Sequence, residues 1–285
     1  MVQNGRVTTD RGDAMAQDDK AKELAKYSDT PQAIARFVAQ QLIMKPYVWS
    51  AVSVHVHGER HLKDLNAPFI AIANHSSHVD TTVIYGALPR RLSRNLAAGA
   101  AADYFFKKKT SALGTRLFFN AYPVDRGGMR GHAGLSGRLL DDGVPLLIFP
   151  EGTRSRTGAM AKFKMGVAAL AIQHGVPVLP IALVGAYAAM PYGQKLPVPG
   201  RPRVHIVFGP PMRPLPGETV PRLNERLYNQ VIELHDTTAR AYGMPTQSDF
   251  WRSVALKEAA KKAQAKAEAD AAGAAEQPPA EPTDS

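Results

Sequence analysis

The chain has 285 residues, a net charge of +10 and no cysteine. The absence of cysteine excludes a disulfide framework, a cysteine nucleophile and a thiolate metal site. The length predicts one folded domain of about 200–220 residues between two tails, and the positive charge favours phosphate-rich partners such as nucleic acid, anionic lipid or phosphorylated small molecules.

Composition divides the chain into four segments. We expect residues 1–30 to form a disordered or frayed tail, residues 31–50 an amphipathic helix, residues 51–250 the main domain, and residues 251–285 a helical extension that ends in a disordered tail. No stretch reaches the roughly 18 consecutive apolar residues that span a bilayer, and the first segment lacks the apolar core of a signal peptide. A protein of this kind is expected to lie on a membrane surface if it meets a membrane.

The second segment carries a helical pattern that opens at Pro31. Ile34, Phe37, Val38 and Leu42 recur at spacings of three and four. This pattern predicts an amphipathic helix whose apolar face docks in the headgroup region of a membrane. The alternative is that the same face packs on the core of the domain.

Short apolar runs then alternate with helical patterns. The predicted strands are Val52–His57, Phe69–Ala73, Ala121–Val124, Leu146–Phe149, Val178–Val184 and Val204–Phe208. The predicted helices are Ser77–Leu88, Met129–Asp142, Phe163–His174 and Glu218–Tyr242. The alternation predicts a single α/β domain with a largely parallel central sheet flanked by helices, preceded by the amphipathic N-terminal helix.

Polar loops follow three of these strands, where open α/β sheets bind their ligands. In the first loop, a helix that starts at Ser77 would place Asp80 at its third position, from which its carboxylate could reach back to His75. An imidazole held by a carboxylate is a general base, because the carboxylate fixes the tautomer and stabilises the imidazolium.

Other interpretations of this loop stay open. Asp80 could serve only to cap the helix. His75, His78 and Asp80 could bind a metal, although their spacing fits no regular ligand pattern. Ser76 or Ser77 could be a nucleophile, although neither lies in a Gly-x-Ser-x-Gly turn.

The second and third loops combine glycine with basic residues. Arg126 follows Tyr122-Pro123-Val124-Asp125 and precedes two glycines and a predicted helix, which is typical of a phosphate site. Glu151 lies in the third loop, Phe149–Ser155, among several basic side chains. There it could pair with an arginine or accept a hydrogen bond from a substrate hydroxyl; the alternative for both loops is a solvated basic surface.

Together these segments resemble motifs I to III of the PlsC-like glycerolipid acyltransferases. The matching segments are Asn74–Asp80, Val124–Arg126 and Phe149–Ser155, and Val176–Ile181 resembles the fourth motif. The resemblance covers about residues 50–212 and is nearest to the 1-acylglycerol-3-phosphate acyltransferases. It implies transfer of a fatty acyl chain from acyl-CoA or an acyl carrier protein thioester to a lysophosphatidic acid-type acceptor, giving phosphatidic acid, with no metal and no cofactor.

The resemblance also implies a role for each residue of the site. His75 would be the base and Asp80 its orienting partner. Arg126, Arg154 and Lys164 would bind the acceptor phosphate, and substrate positioning would fall to Glu151, Gly152, Thr153 and Asn74. The expected location is the cytoplasmic face of the cell membrane, on an anionic surface and without nucleic acid. Glycerol 3-phosphate or another lyso-lipid is the alternative acceptor; a non-catalytic membrane-binding domain and a serine lipid esterase are the alternative functions.

Overall fold

The computed structural model describes Tyr27 and residues 30–101, 119–124, 134–194 and 196–275. The prediction of an α/β fold with a largely parallel sheet flanked by helices is confirmed. The tail predicted for residues 1–30 lies almost entirely outside the described residues, as does the disordered end predicted for the last segment.

Seven strands form one sheet in the order β1-β7-β6-β2-β5-β3-β4. They are β1 Ser53–His57, β2 Ile70–Ala73, β3 Ala97–Ala101, β4 Tyr122–Val124, β5 Leu146–Ile148, β6 Val178–Val184 and β7 Arg203–Phe208. Strands β2 to β6 run parallel to one another. Strand β7 is antiparallel to β6 and parallel to β1, so β1 and β7 run opposite to the other five.

Six strands lie close to their predicted bounds, and β3 was not predicted. The helices are α1 Thr30–Val38, α2 Lys45–Ala51, α3 Asp80–Ala87, α4 Arg90–Ser93, α5 Leu135–Asp141, α6 Gly166–His174, α7 Ala186–Ala189, α8 Val220–Ala241 and α9 Gln247–Ala275. A π-helical turn, Ala39–Met44, joins α1 to α2, and a 3-10 turn covers Glu59–Leu62. Helix α3 starts three residues after its predicted start at Ser77.

The central strands are buried on both faces of the sheet. Ile70 and Ile72 of β2 contact one apolar cluster, and Ala71 and Ala73 contact the other. Such strands are continuous apolar runs because helices cover both faces of a parallel sheet. The loops that follow β2, β5 and β6 therefore start from fixed positions at one edge of the sheet.

The N-terminal helical segment packs through its polar face and exposes its apolar face. Arg36 and Gln40 are buried, and the Arg36 guanidinium donates a hydrogen bond to the side-chain carbonyl of Asn120. Ile34 and Leu42 are 53% and 71% exposed. Three of the four residues predicted for the apolar face, Ile34, Val38 and Leu42, are therefore exposed, and the segment packs mainly through the face that carries Arg36 and Gln40. No helix in the described part of the chain combines the length and the apolar character needed to cross a membrane.

Candidate active site

The side chain of Asn74 fixes the point where β2 ends. Its amide nitrogen donates to the backbone carbonyl of Leu183 on β6 at 2.9 Å, and its amide oxygen accepts the Leu183 N–H at 2.7 Å. Both polar ends of this buried side chain are therefore bonded to the neighbouring strand. The sequence predicted that Asn74 positions substrate, whereas these contacts show it positioning the loop that begins at His75.

His75 and Asp80 form the pair that the sequence predicts. Nδ1 of His75 lies 2.8 Å from Oδ2 of Asp80, and the same oxygen accepts the backbone N–H groups of Ser76 and Ser77 at 2.8 Å each. The bond from the Ser77 N–H is the contact that the predicted helix start implied, although the first helical residue is Asp80. Asp80 is fully buried and the His75 side chain is 19% exposed. A hydrogen bond from Nδ1–H to the carboxylate leaves the lone pair of Nε2 free to take a proton.

The backbone of His75 is held on both sides by the third loop. Its N–H donates to Oε1 of Glu151 at 2.7 Å, and its carbonyl accepts the N–H of Ser155 at 2.8 Å. Its ring stacks on Phe149, with ring centroids 3.9 Å apart. The Asp80 carboxylate, the backbone hydrogen bonds of His75 and the Phe149 ring therefore hold the imidazole in one position. A general base needs such a fixed position.

Glu151 is a buried carboxyl that joins two loops. Oε2 accepts the N–H of Ala161 at 2.8 Å, while Oε1 accepts the N–H of His75. Burial raises the pKa of Glu151 to about 7; the two backbone N–H groups oppose this, and the charge of Asp80 adds to it. The sequence suggested an arginine or a substrate hydroxyl as its partner. In the described structure both oxygens accept backbone N–H groups instead of an arginine, and the contact with a substrate hydroxyl stays a prediction.

Basic side chains of the third loop gather around Gly152 and Tyr192. Gly152 has a φ of +75°, and a Cβ added there would lie 2.9 Å from the ammonium nitrogen of Lys164. The guanidinium carbons of Arg154 and Arg156 lie 5.1 and 5.2 Å from the centroid of the Tyr192 ring. Glu151, Arg154 and Lys164 all lie in the segment between β5 and α6, and Lys164 is nine residues beyond the motif.

Arg156 is one of the basic side chains that the sequence places after the motif, whereas Tyr192 had no signal. Tyr192 lies in the loop after α7, and a lone aromatic among polar residues does not predict a cation–π contact. Thr153, predicted to position substrate, is exposed. Arg126, predicted to bind phosphate, lies outside the described residues.

The alternative chemistries receive no support from the described side chains. Ser77 is buried, and its hydroxyl donates to the carbonyl of Met190 at 3.0 Å. No group of three or more His, Cys, Asp or Glu side chains is placed to hold a metal within residues 30–101, 119–124, 134–194 and 196–275. Desolvation, and then the positive charges of Arg154 and His75, lower the pKa of His78, which lies at the exposed side of the loop.

Comparison with known proteins finds similar sequences. Residues 53–184 match the family model described as Acyltransferase. A 1-acyl-sn-glycerol-3-phosphate acyltransferase of Chlamydomonas reinhardtii is 32% identical over 151 residues, which are 50% of this chain and 42% of that protein. One from Pseudomonas aeruginosa is 43% identical over 98 residues, which are 33% of this chain and 36% of that protein. The chain thus spans less than half the length of these relatives.

A solved structure gives the same fold. It is the crystal structure of the 1-acyl-sn-glycerophosphate acyltransferase PlsC from Thermotoga maritima, with a TM-score of 0.56 and 24% sequence identity. The match covers 71% of this chain and 81% of that chain. His75, Asp80, Glu151 and Arg154 all lie inside the region that the family model matches. The part of the chain that holds these residues, 53–184, is therefore similar to the acyltransferase family.

Proposed function

We propose that this protein transfers a fatty acyl chain from an acyl thioester to the free hydroxyl of a 1-acylglycerol-3-phosphate, giving phosphatidic acid. The observation that carries the proposal is the 2.8 Å contact between His75 and the buried carboxylate of Asp80. It is supported by relatives that are named 1-acyl-sn-glycerol-3-phosphate acyltransferases. The acyl donor is a co-substrate carried by coenzyme A or acyl carrier protein, and the reaction uses no metal and no cofactor.

The proposed reaction is a direct transfer. The acceptor hydroxyl gives its proton to Nε2 of His75 while its oxygen attacks the thioester carbonyl carbon. The tetrahedral intermediate then expels the thiolate, and the imidazolium returns the proton to that sulfur. Asp80 keeps Nδ1 protonated and stabilises the positive charge that His75 carries between these two proton transfers.

The acceptor phosphate is proposed to bind the basic side chains of the second and third loops. Arg154 can form a two-pronged contact with phosphate oxygens, and Lys164 supplies a point charge beside Gly152. Stacking on Tyr192 restricts the Arg154 guanidinium without using its N–H donors. Arg126 remains a prediction for the same role.

We propose that the protein works as a peripheral protein on an anionic surface, at the cytoplasmic face of the cell membrane. The support is the exposed apolar face of the N-terminal helical segment, where Ile34, Leu42 and Ile43 are 53%, 71% and 60% exposed. Burying such side chains in the acyl boundary is favourable by roughly 25 cal/mol per Å². Phe37 was predicted to share this face, but it lies half-buried, with the Arg90 guanidinium 4.3 Å from its ring centroid.

Purified protein assayed with one acyl-CoA and a panel of acceptors tests the proposal. The panel contains 1-acylglycerol-3-phosphate, glycerol 3-phosphate, and lyso-lipids with larger headgroups. We expect the highest kcat/KM with 1-acylglycerol-3-phosphate. His75→Ala should lower kcat by about 10²–10⁴-fold, which is what a general base supplies. His61→Ala, at a histidine of the 3-10 turn, should leave kcat unchanged.

Three outcomes would contradict parts of the proposal. A higher kcat/KM for another acceptor would contradict 1-acylglycerol-3-phosphate as the acceptor. Wild-type kcat in folded His75→Ala would exclude His75 as the general base. Labelling of the active protein by a serine-directed phosphonate, with loss of activity, would favour the esterase chemistry.

A further inference from the structure

The first turns of helix α9 hold the backbone of Met160, in the loop behind the catalytic site. Oε1 of Gln247 accepts the Met160 N–H at 2.7 Å. The indole N–H of Trp251 donates to the Met160 carbonyl at 3.1 Å. Both backbone groups of one loop residue are therefore bonded to side chains of the same helix.

Gln247 is itself fixed by two side chains of helix α8. Its backbone N–H donates to Oδ1 of Asp236 at 2.7 Å, and its Nε2 lies 3.2 Å from Nε2 of His235. Nδ1 of His235 lies 2.9 Å from the same carboxylate oxygen. Because the Gln247 amide donates, Nε2 of His235 must accept and Nδ1–H must donate to Asp236. Gln247 is 1% exposed, so a lost bond in this network would leave a buried polar group unpaired.

Close packing at the same place reinforces the hydrogen bonds. Gly158 has a φ of +84°, and a Cβ added there would lie 2.5 Å from Cε1 of Phe250 on α9. The ring of Phe250 meets the ring of Tyr187 edge-on, and the Tyr187 hydroxyl donates to the carbonyl of Arg156 at 3.2 Å. The loop from Arg156 to Met160 thus contacts residues far from it in sequence at Arg156, Gly158 and Met160.

The peptide that joins Met160 to Ala161 connects these contacts of α9 to the catalytic pair. Ala161, next to Met160, donates its N–H to Oε2 of Glu151 at 2.8 Å. The other oxygen of Glu151 accepts the N–H of His75 at 2.7 Å. A shift of the Met160–Ala161 peptide would therefore move the carboxylate that fixes the backbone of His75.

We propose that Gln247, supported by Trp251, is a positioning residue for acyl transfer. Gln247 accepts the N–H of Met160 and Trp251 donates to its carbonyl, so the two side chains fix Met160 from both sides and, through the Ala161 N–H and Glu151, the backbone of His75. The expected effect on the rate of acyl transfer rests on the proposed function. The expected effect on the position of the His75 backbone rests on geometry alone. A displacement of the base by a fraction of an ångström is felt in the chemical step, because reactivity depends steeply on the approach of the reacting atoms.

Gln247→Leu tests this role, with Gln264→Leu as the matched control. Gln264 lies on the same helix, is exposed, and donates only to Glu268 at 2.9 Å in the described structure. We expect Gln247→Leu to lower kcat by about ten- to a hundredfold while the KM of both substrates changes less than about twofold. Gln264→Leu should match the wild type. Rates are expressed per folded molecule, with the folded fraction taken from near-ultraviolet circular dichroism.

Hydrogen exchange gives a readout that does not depend on activity. Gln247→Leu should speed exchange of the Ala161 and His75 amides, and Gln264→Leu should not. If the wild-type protein transferred no acyl chain, the proposed function would be overturned. The exchange rates of these two amides would still show whether Gln247 fixes the loop.

A milder variant keeps the test decisive if Gln247→Leu folds poorly. Trp251→Phe removes only the bond to the Met160 carbonyl and retains an aromatic ring, so it should change kcat and exchange in the same direction by a smaller factor. Lower thermal stability with unchanged kcat per folded molecule and unchanged Ala161 exchange, in either folded variant, would overturn the positioning role and leave Gln247 as a structural residue only.

Discussion

Replacing Glu151 by glutamine should remove a specific pH dependence of stability. The carboxyl has a pKa of about 7 in the folded protein against an ordinary value of 4.5. The folded state therefore holds a proton that the unfolded state has lost between these two values. Stability from this group is fully present below pH 4.5 and is lost as the pH rises through 7.

The size of the effect follows from the two pKa values. Each pH unit between them is worth about 1.4 kcal/mol, so ionisation of Glu151 should cost the folded state about 3 kcal/mol across the whole window. Glutamine has nearly the same shape and does not titrate. The stability of the wild type relative to Glu151→Gln should therefore fall by about 2–3 kcal/mol between pH 5 and pH 8.

Urea unfolding of both proteins at several pH values between 5 and 8 measures this difference. Comparing the two proteins at each pH cancels the titration of all other groups that the substitution leaves alone. A glutamine amide that faces a backbone N–H loses a hydrogen bond, but this loss shifts the curve equally at every pH. A stability difference that stays constant across the range, or that rises with pH, would refute the raised pKa and the burial that causes it.

Four further variants test the site and the surface. Asp80→Asn should lower kcat by at least about a hundredfold in initial-rate assays, because the amide cannot stabilise the imidazolium; kcat near the wild type would exclude its role. Arg154→Ala should raise KM for the phosphorylated acceptor and leave KM for the donor unchanged, and an equal rise of both would contradict the phosphate assignment. Gly152→Ala should lower stability in urea by about 1–2 kcal/mol, because its φ is positive; an unchanged unfolding midpoint would contradict this. Leu42→Glu with Ile43→Glu should weaken sedimentation with anionic vesicles without lowering Tm, and unchanged vesicle affinity would refute docking through this face.

The sequence predicted the strands that consist mainly of large apolar residues, because such residues indicate burial. Apart from Pro180 of β6, strands β2 and β6 consist of valine, leucine, isoleucine and alanine, and both were placed close to their true bounds. Strand β3 was missed because Ala97–Ala101 contains only alanine and glycine, which are poor strand formers. Its partners make it a strand: a Cβ on Gly99 would lie 2.8 Å from a methyl carbon of Val124, so the missing side chain permits the close pairing with β4.

In the site, too, contacts between residues close in sequence could be predicted, and contacts between distant residues could not. His75 and Asp80 could be paired from the sequence because both lie in one short loop. The partners of Glu151 are backbone amides at His75 and Ala161, and a backbone donor leaves no mark on residue type. The contact of Gln247 with Met160 could not be predicted from the sequence either, because the two residues are close only in the folded protein.

The pairing of β1 with a strand far along the chain has a consequence for how the protein folds during synthesis. Strand β1 is paired only with β7 in the described sheet, where Ser53 lies opposite Arg203. Such a contact between distant parts of the chain slows folding, because a long loop must close before the pairing stabilises it. A nascent chain that has not yet reached Arg203 carries β1 with open backbone groups, next to a helical segment with exposed leucine and isoleucine. Unpaired strands and exposed apolar side chains favour aggregation and chaperone binding, so we expect both until β7 has been synthesised.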